Sequence, residues 1–488
     1  MGTILTIALR NLTQHKAKTL IIGVLIVVSI SLGLVGNTLL ASARDSLENT
    51  FTQNFTGDVL VLPKDVQGGI FGASQGDNSN SGPPILPMMK DYQAAASLVK
   101  AQPEVSNWTS QISSYVLFNF QDDGISFGLT FGIEPENYFQ AFDNVVLVEG
   151  RKLQPGEAGI MLHERVRDAF KKDPGVTIKI GDTVQLNNFG ESGFKIREVP
   201  VVGIFKFKAG NERTFAFMQP NFVDVNTLRA LKGKAVITPE DLKLKDSVQK
   251  AFDSPSDDFF DSPSVVAAPQ GKTAAQSVGQ SLGPRRTDLA TTDRGAWNYI
   301  LIHLKPGVNE TSFTAGLNKK LADAGLNVKA QNWFPSAQPD SGVFWAISLV
   351  FNIVVWLIAI VSIIIIMNTL VASVMERTPE IGTMRALGAQ KGFVRNMFIT
   401  ETLTITAVFG AAGMVLGFLL LGLIALTGIS APNDFMKLIF GGDVLHPVVS
   451  WGPILTALFI IIFIALFSWI LPVRLALKVS PLKAINAD

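Results

Sequence analysis

The sequence predicts an α-helical membrane protein with four transmembrane helices and a large α+β extracytoplasmic domain inserted between helices 1 and 2. Three observations predict it. Four stretches contain no Asp, Glu, Lys or Arg: 25 residues at 19–43, 35 at 341–375, 32 at 402–433 and 30 at 444–473. Each is long enough to cross about 30 Å of hydrocarbon at about 1.5 Å per residue. The region 45–340 is soluble in character, with alternating runs such as DVLVLP, SYVLFNF, SFGLTFGI, VTIKI and VPVVGIFKF separated by helical patterns near 91–101, 164–171 and 310–324. Finally, the basic residues fall on one side of a four-crossing topology. Arg10, Lys16 and Lys18 precede the first helix, Arg377, Arg385, Lys391 and Arg395 follow the second, and Arg474, Lys478 and Lys483 follow the fourth, whereas only Lys437 lies between the third and fourth. By the positive-inside rule both termini are cytoplasmic and the large domain lies outside.

Composition excludes several function classes. Mean hydropathy is +0.32, and 17% of the 488 residues are charged, away from the values of an ordinary soluble protein. With no Cys there is no disulfide framework, thiolate metal site or cysteine nucleophile. A net charge of +1 argues against a nucleic-acid partner.

In chain order, residues 1–18 read as an amphipathic helix on the cytoplasmic surface and 19–43 as the first span. Ala41-Ser42-Ala43 also resembles a signal-peptidase site, but the apolar run exceeds the roughly 7–15 residues of a signal peptide's core. The domain occupies 44–340 and is expected to form two subdomains, with long loops at about 63–87 and 253–295, where Gly, Ser, Pro and Asp dominate. Ile70, Phe71, Phe259 and Phe260 are apolar exceptions there, fitted either to touch a partner or to pin the loops. Spans follow at 341–375, 401–431 and 447–472, with a charged segment at 376–400, an outer loop at 432–446 and a tail at 473–488. Gly33 and Gly36 on the first helix, and Gly410, Gly413 and Gly417 on the third, permit close helix packing, within the chain or at a seam between two copies. Asn352 and Asn368 are expected to bond between helices.

The segment 376–400 is short and charged between two long apolar runs. Charge alone fits an ordinary solvated bend. The order Glu376, Arg377, then Glu380-Ile381-Gly382, then Met384 and Arg385-Ala386-Leu387-Gly388, with Glu401 before a Gly-rich helix, resembles the signature of FtsX- and MacB-type permease domains of ABC transporters. The phrases VEGRKLQPGEAGIMLHERV, IGDTVQL and VPVVGIF are similar to the MacB-type extracytoplasmic domain, and LPVRLALKVSPLKAIN to the family's closing pattern, where its basic residues would meet lipid phosphates or the ATPase.

That resemblance implies a coupling helix that sits in a groove of an ATPase, its apolar members filling the groove and its charged members orienting it. Pro379 departs from the pattern and suits a helix beginning near Thr378. The resemblance further implies a bacterial inner membrane as the location, two ATPase subunits, a second permease copy or paralogue, and mechanotransmission of ATP-driven closure to the outer domains. ATP and Mg would be bound by the partner ATPase, with no cofactor in this chain. Gly271-Lys272-Thr273 has Val266 where a phosphate-binding loop needs its first Gly, so the sequence has no Walker A motif. This layout is most similar to the lipoprotein-releasing permeases, whose first outer strand TGDVLVLPK also resembles, and the expected substrate is a lipoprotein. Drug or peptide efflux with an adaptor, and activation of a cell-wall hydrolase, stay open. His15, His163, His303 and His446 are isolated and GxSxG does not occur, so neither a metal site nor a hydrolase is expected.

Overall fold

The computed structural model describes residues 16–70, 72–74, 87–120, 124–172, 175–190, 193–207, 219–233, 296–337, 340–432, 436–437, 440 and 444–478. Residues 1–15, Phe71, the stretch containing Phe259 and Phe260, and the tail beyond 478 lie outside them. The chain forms two compact units, one of residues 1–50 with 340–488 and one of residues 51–339.

The first unit holds four helices long and apolar enough to cross a membrane. Helix α1 is Lys16–Phe51, α2 Asp340–Glu376, α3 Thr378–Ala386, α4 Lys391–Thr427, α5 Trp451–Ser468 and α6 Ile470–Lys478. α1 outruns the expected 19–43 because nothing in ARDSLENTF breaks a helix after Ala43. The third span begins ten residues before 401, at Lys391, and the fourth runs over Trp451–Leu477 with a one-residue turn at Trp469 inside it.

Why these helices pack as they do follows from spacing. Ile22, Ile26, Ile30 and Leu34 recur every fourth residue on α1 and form a buried core with Val355, Ala359 and Ile366 of α2 and Ile460 and Ile464 of α5. α4 approaches through its glycines: a Cβ at Gly413 would lie 3.0 Å from the Val27 carbonyl oxygen, one at Gly417 2.9 Å from Leu34, and one at Gly410 3.0 Å from Ile461. On α1, a Cβ at Gly36 would enter the Phe351 ring, and one at Gly33 would meet Val355 at 3.5 Å. All five packing glycines therefore face neighbours within this chain. Gly413→Leu is expected to destabilise the helix bundle by about 1–3 kcal/mol, since the α1 backbone cannot step aside. A lowered midpoint of heat-induced aggregation in mild detergent would show it.

Polar groups in the bundle are mostly satisfied locally. Ser29 bonds Ser362 across α1 and α2 at 2.8 Å. Asn352, expected to bond between helices, instead donates to the Ser348 carbonyl of its own helix at 2.8 Å.

The second unit is built on one ten-stranded sheet, and this corrects the expectation of two subdomains. Its strands are β1 Val59–Pro63, β4 Val105–Phe120, β5 Gly124–Ile133, β6 Val145–Gly150, β7 Ile160–His163, β8 Thr183–Gly190, β9 Gly193–Phe207, β10 Asn221–Asp224, β11 Tyr299–Leu304 and β12 Val328–Asn332. The order β12-β1-β11-β4-β5-β10-β7-β9-β6 is closed on itself by β8, which pairs with both β4 and β9. Length makes this possible. β4 pairs with β11 through residues 105–111 and then with β8 at 117–119, so one long strand serves two neighbours along the same edge. Helices Tyr92–Lys100, Glu164–Lys172 and Glu310–Asp323 cover the sheet, burying Val99, Phe170 and Leu317 with Val116, Phe118 and Ile302.

Two local expectations fail for identifiable reasons. VTIKI alternates like a strand, but residues 176–180 join no ladder; Ile178 is buried as an anchor for an irregular segment. Within the expected loop at 63–87, β2 Gln67–Gly69 and β3 Gly72–Ser74 form a short antiparallel hairpin. A Cβ at Gly69 would overlap the Ser336 carbonyl, so only Gly permits that approach. Ile70 is fully buried and pins the hairpin.

Candidate functional site

The charged segment does not form one helix over 376–400. Arg377 interrupts the helix at the end of α2, with its N–H still bonded to the Ser373 carbonyl at 3.1 Å, and α3 starts immediately with Pro379 in its first turn. There the missing proline N–H costs nothing. α3 ends after two turns in a Schellman cap: Ala389 N–H donates to the Met384 carbonyl at 3.0 Å and Gly388 N–H to the Arg385 carbonyl at 3.2 Å. Gly388 takes φ +101°, a conformation glycine reaches without strain. Arg-Ala-Leu-Gly-Ala is thus a helix stop, and Gln390 leads into α4.

The cap sorts the expected site residues into two groups. Ile381 and Gly382 are buried, and Ile381 packs with Val374, Val394, Met397 and Phe398, joined by Val473 and Ala476 of α6. Met384 packs against that cluster. Ile381 therefore belongs to the inside of the tip and does not fill a partner's groove, contrary to expectation. Arg377 is also internal: its Nη1 lies 3.3 Å from Oε1 of Glu401 on α4, and the two side chains are 9% and 7% exposed.

The outward group is Glu376, Pro379, Glu380, Ala386, Leu387 and Gly388, with Arg385 half-buried. Leu387 is 91% exposed, the largest exposure of any large apolar side chain among the described residues. Phe393, at the start of α4, is 39% exposed. A lone exposed leucine is unremarkable on most surfaces. This one stands at the apex of a capped turn whose position is fixed from beneath by an ion pair and an apolar cluster.

Sequence reasoning placed Glu401 in the signature but did not pair it with Arg377. Its signal was present: a single carboxylate opening a charge-free helix needs a partner, and the nearby arginines supply one. The bracing by Trp469, Val473 and Ala476 had no local signal, because it comes from the far end of the chain.

Chemistry at other positions is sparse. Among the described residues no group of three or more His, Asp or Glu could hold a metal ion. In the β-domain, Asp224 is buried as the cap of the helix Val225–Leu231, accepting from Asn226 N–H at 2.9 Å and Gly156 N–H at 3.1 Å. Burial raises its pKa against those bonds.

Four apolar helices, an α/β domain set between the first and second, and a rigidly braced turn between the second and third membrane helices define a membrane permease. The chain belongs to the MacB/FtsX type of ABC transporter permease: residues 23–320 match the MacB-like periplasmic core domain and residues 352–481 the FtsX-like permease C-terminal region. It is 22% identical over 497 aligned positions to the uncharacterized ABC transporter permease YvrN of Bacillus subtilis (strain 168), covering 99% of this chain and 98% of that one. It is 28% identical over 145 residues to the macrolide export ATP-binding/permease protein MacB of Escherichia coli, covering 29% of this chain but only 20% of that protein. The crystal structure of the periplasmic region of MacB from Actinobacillus actinomycetemcomitans aligns with a TM-score of 0.32 at 13% identity, covering 59% of this chain and 94% of that one.

Proposed function

We propose that this permease moves a substrate held on the outer side of a bacterial cytoplasmic membrane, driven by two copies of a separate ATPase that grips the α3 tip from the cytoplasm. Two copies of the permease form the working unit, with both termini cytoplasmic and the β-domain outside. The observation that carries the reading is Leu387, almost fully exposed at the apex of a turn that the Arg377–Glu401 pair and the Ile381 cluster hold rigid. A force applied at that apex passes into α2 and α4 without being absorbed in a loop, and α2 runs directly to the domain boundary at residue 340.

The cargo we infer is an acylated protein drawn from the outer leaflet. TGDVLVLPK, which suggested it, contains β1, and Val59 to Leu62 are wholly buried, so that part of its sequence reflects packing. What favours the second reading, efflux of a small molecule or peptide through an adaptor, is the match of residues 23–320 to the MacB-like core.

The test is co-purification from native membranes in mild detergent, comparing the parent chain with Leu387→Asp. Removing a buried leucine contact of about 2 kcal/mol and placing a charge in the groove is expected to lower ATPase recovery more than tenfold. Because residue 387 makes almost no contact within the chain, folding is preserved. An ATPase that stays bound to Leu387→Asp would remove the tip from the interface. A parent chain that never recovers an ATPase would end the transporter reading. An acylated protein in the eluate selects the first cargo, an adaptor the second.

A further inference from the structure

Strands β5 and β10 lie parallel, with Ile133 opposite Asp224, so both end at the same level of the sheet. The chain then leaves them toward opposite faces. Helix Pro135–Ala141, after β5, packs Tyr138 on Phe222, whereas helix Val225–Leu231, after β10, packs Leu228 with Val223 and against Gly132. Phe222 and Val223 are successive residues of one strand, and successive side chains point to opposite faces. Neither helix can cover the strand ends between them. Such a divergence, at the carboxyl ends of neighbouring parallel strands, is where α/β sheets hold ligands.

A crevice of about 330 Å³ opens there, with Pro155 and Gly156 forming a third wall, and its volume is that of a small-molecule site. Its charges are unbalanced. Three carboxylates, Glu134, Glu136 and Asp224, share it with the guanidinium of Arg229, which is already engaged: it lies over the Trp297 ring at 4.7 Å, and its Nη1 donates to Asn226 Oδ1 at 3.4 Å. Asp224 is the decisive group. It is 3% exposed and accepts from the Gly156 and Asn226 N–H groups, with Thr227 as a third donor, yet it forms no ion pair among the described residues. Buried charges are as a rule paired, and a carboxylate has about four acceptor sites, so one stays open toward the crevice.

We propose that this crevice binds a small organic cation, a primary ammonium on a short aliphatic body, drawn in by the three carboxylates and completed by Asp224. An anion would be repelled. A bare metal ion does not fit, because among the described residues no group of three or more acidic or His side chains converges closely enough to hold one. A free aliphatic amine and the amino terminus of a peptide carry the same ammonium chemistry. The site lies wholly within the β-domain and depends on neither the ATPase nor the cargo reading above.

The test is calorimetric titration of the full-length chain in mild detergent at low salt with cadaverine, with alanylalanine amide, and with the N-acetylated form of that amide. Asp224→Asn removes the charge and keeps the helix cap, since Asn serves that position as well as Asp. Glu136→Gln alters only an exposed side chain and leaves the fold intact. Saturable binding of cadaverine or of the free peptide amide is expected, weakened more than about tenfold by Asp224→Asn and roughly threefold by Glu136→Gln, with the acetylated form inert. Binding of cadaverine alone assigns the site to free amines, and binding of the peptide amide alone assigns it to peptide amino termini. No saturable binding of either amine, or equal binding of the acetylated form, would overturn the proposal. So would parent-like affinity in Asp224→Asn or, if that variant does not fold, in Glu136→Gln.

Discussion

Arg377→Met is expected to destabilise the helix bundle by about 3–5 kcal/mol, because it takes the Arg377 cation away from the buried Glu401 carboxylate. The pair is closed from both ends: Nη1 of Arg377 reaches Oε1 and Oε2 of Glu401 at 3.3 and 3.5 Å, and neither side chain is more than a tenth exposed. The net value of the intact pair is much smaller than the cost of breaking it, since both charges were desolvated to form it. The double replacement Arg377→Met with Glu401→Met should therefore recover most of the loss. Heat-induced unfolding in mild detergent would resolve the two cases, and a single variant as stable as the parent would dissolve the argument. A functional consequence separates the pair from mere packing. Because Arg377 sits at the joint of α2 and α3, the double variant should fold yet transmit poorly, with substrate-stimulated ATP turnover falling more than basal turnover.

The α3 tip shows which parts of a site can be read from residues alone. The helix start at Pro379 was legible, because it expresses a backbone constraint that acts over two or three residues, whereas the stop at Gly388 was read only as part of the family signature and its cap appears in the structure. The facing of α3 was not. Its nine residues, TPEIGTMRA, carry only two large apolar side chains, so no stripe distinguishes the inner side. Ile381 turned inward because Phe398 of α4 and Val473 of α6 meet there, contacts made across 17 and 92 residues of chain. The spans were legible for the opposite reason: a bilayer imposes the same requirement at every residue, and absence of charge over 25 to 35 positions records it. The β-domain lies between these extremes. Its strands announce themselves by alternation, while β8, which closes the ring between β4 and β9, is fixed only by pairings that no local pattern encodes. VTIKI has the alternation and lacks the neighbour.

His163 carries the other large prediction, a loss of β-domain stability in acid. It ends β7, is fully buried against Phe205 and Phe207 with ring centroids at 5.2 and 5.6 Å, and its Nδ1 accepts from the Arg165 N–H at 3.3 Å. That bond leaves the ring proton on Nε2 and the imidazole neutral. Burial, aided by the Arg165 charge, pushes its pKa down to about 3, against about 6.5 in an unfolded chain. Below pH 6.5 the unfolded chain binds a proton that the folded one refuses, so stability falls as pH drops and levels off only near pH 3. Over that window the loss is on the order of 5 kcal/mol. His303 acts in the same direction: burial lowers its pKa, although Asp58 and Asp143 oppose the shift. Acid unfolding of the full-length chain, followed by the emission of the buried Trp297 and Trp333, should show this slope, and His163→Phe should flatten most of it because a phenyl ring keeps the contacts with Phe205 and Phe207 and has no proton to bind. If His163→Phe unfolds along the same pH curve as the parent, the acid sensitivity lies elsewhere, and the imidazole is only a space-filling ring beneath β9.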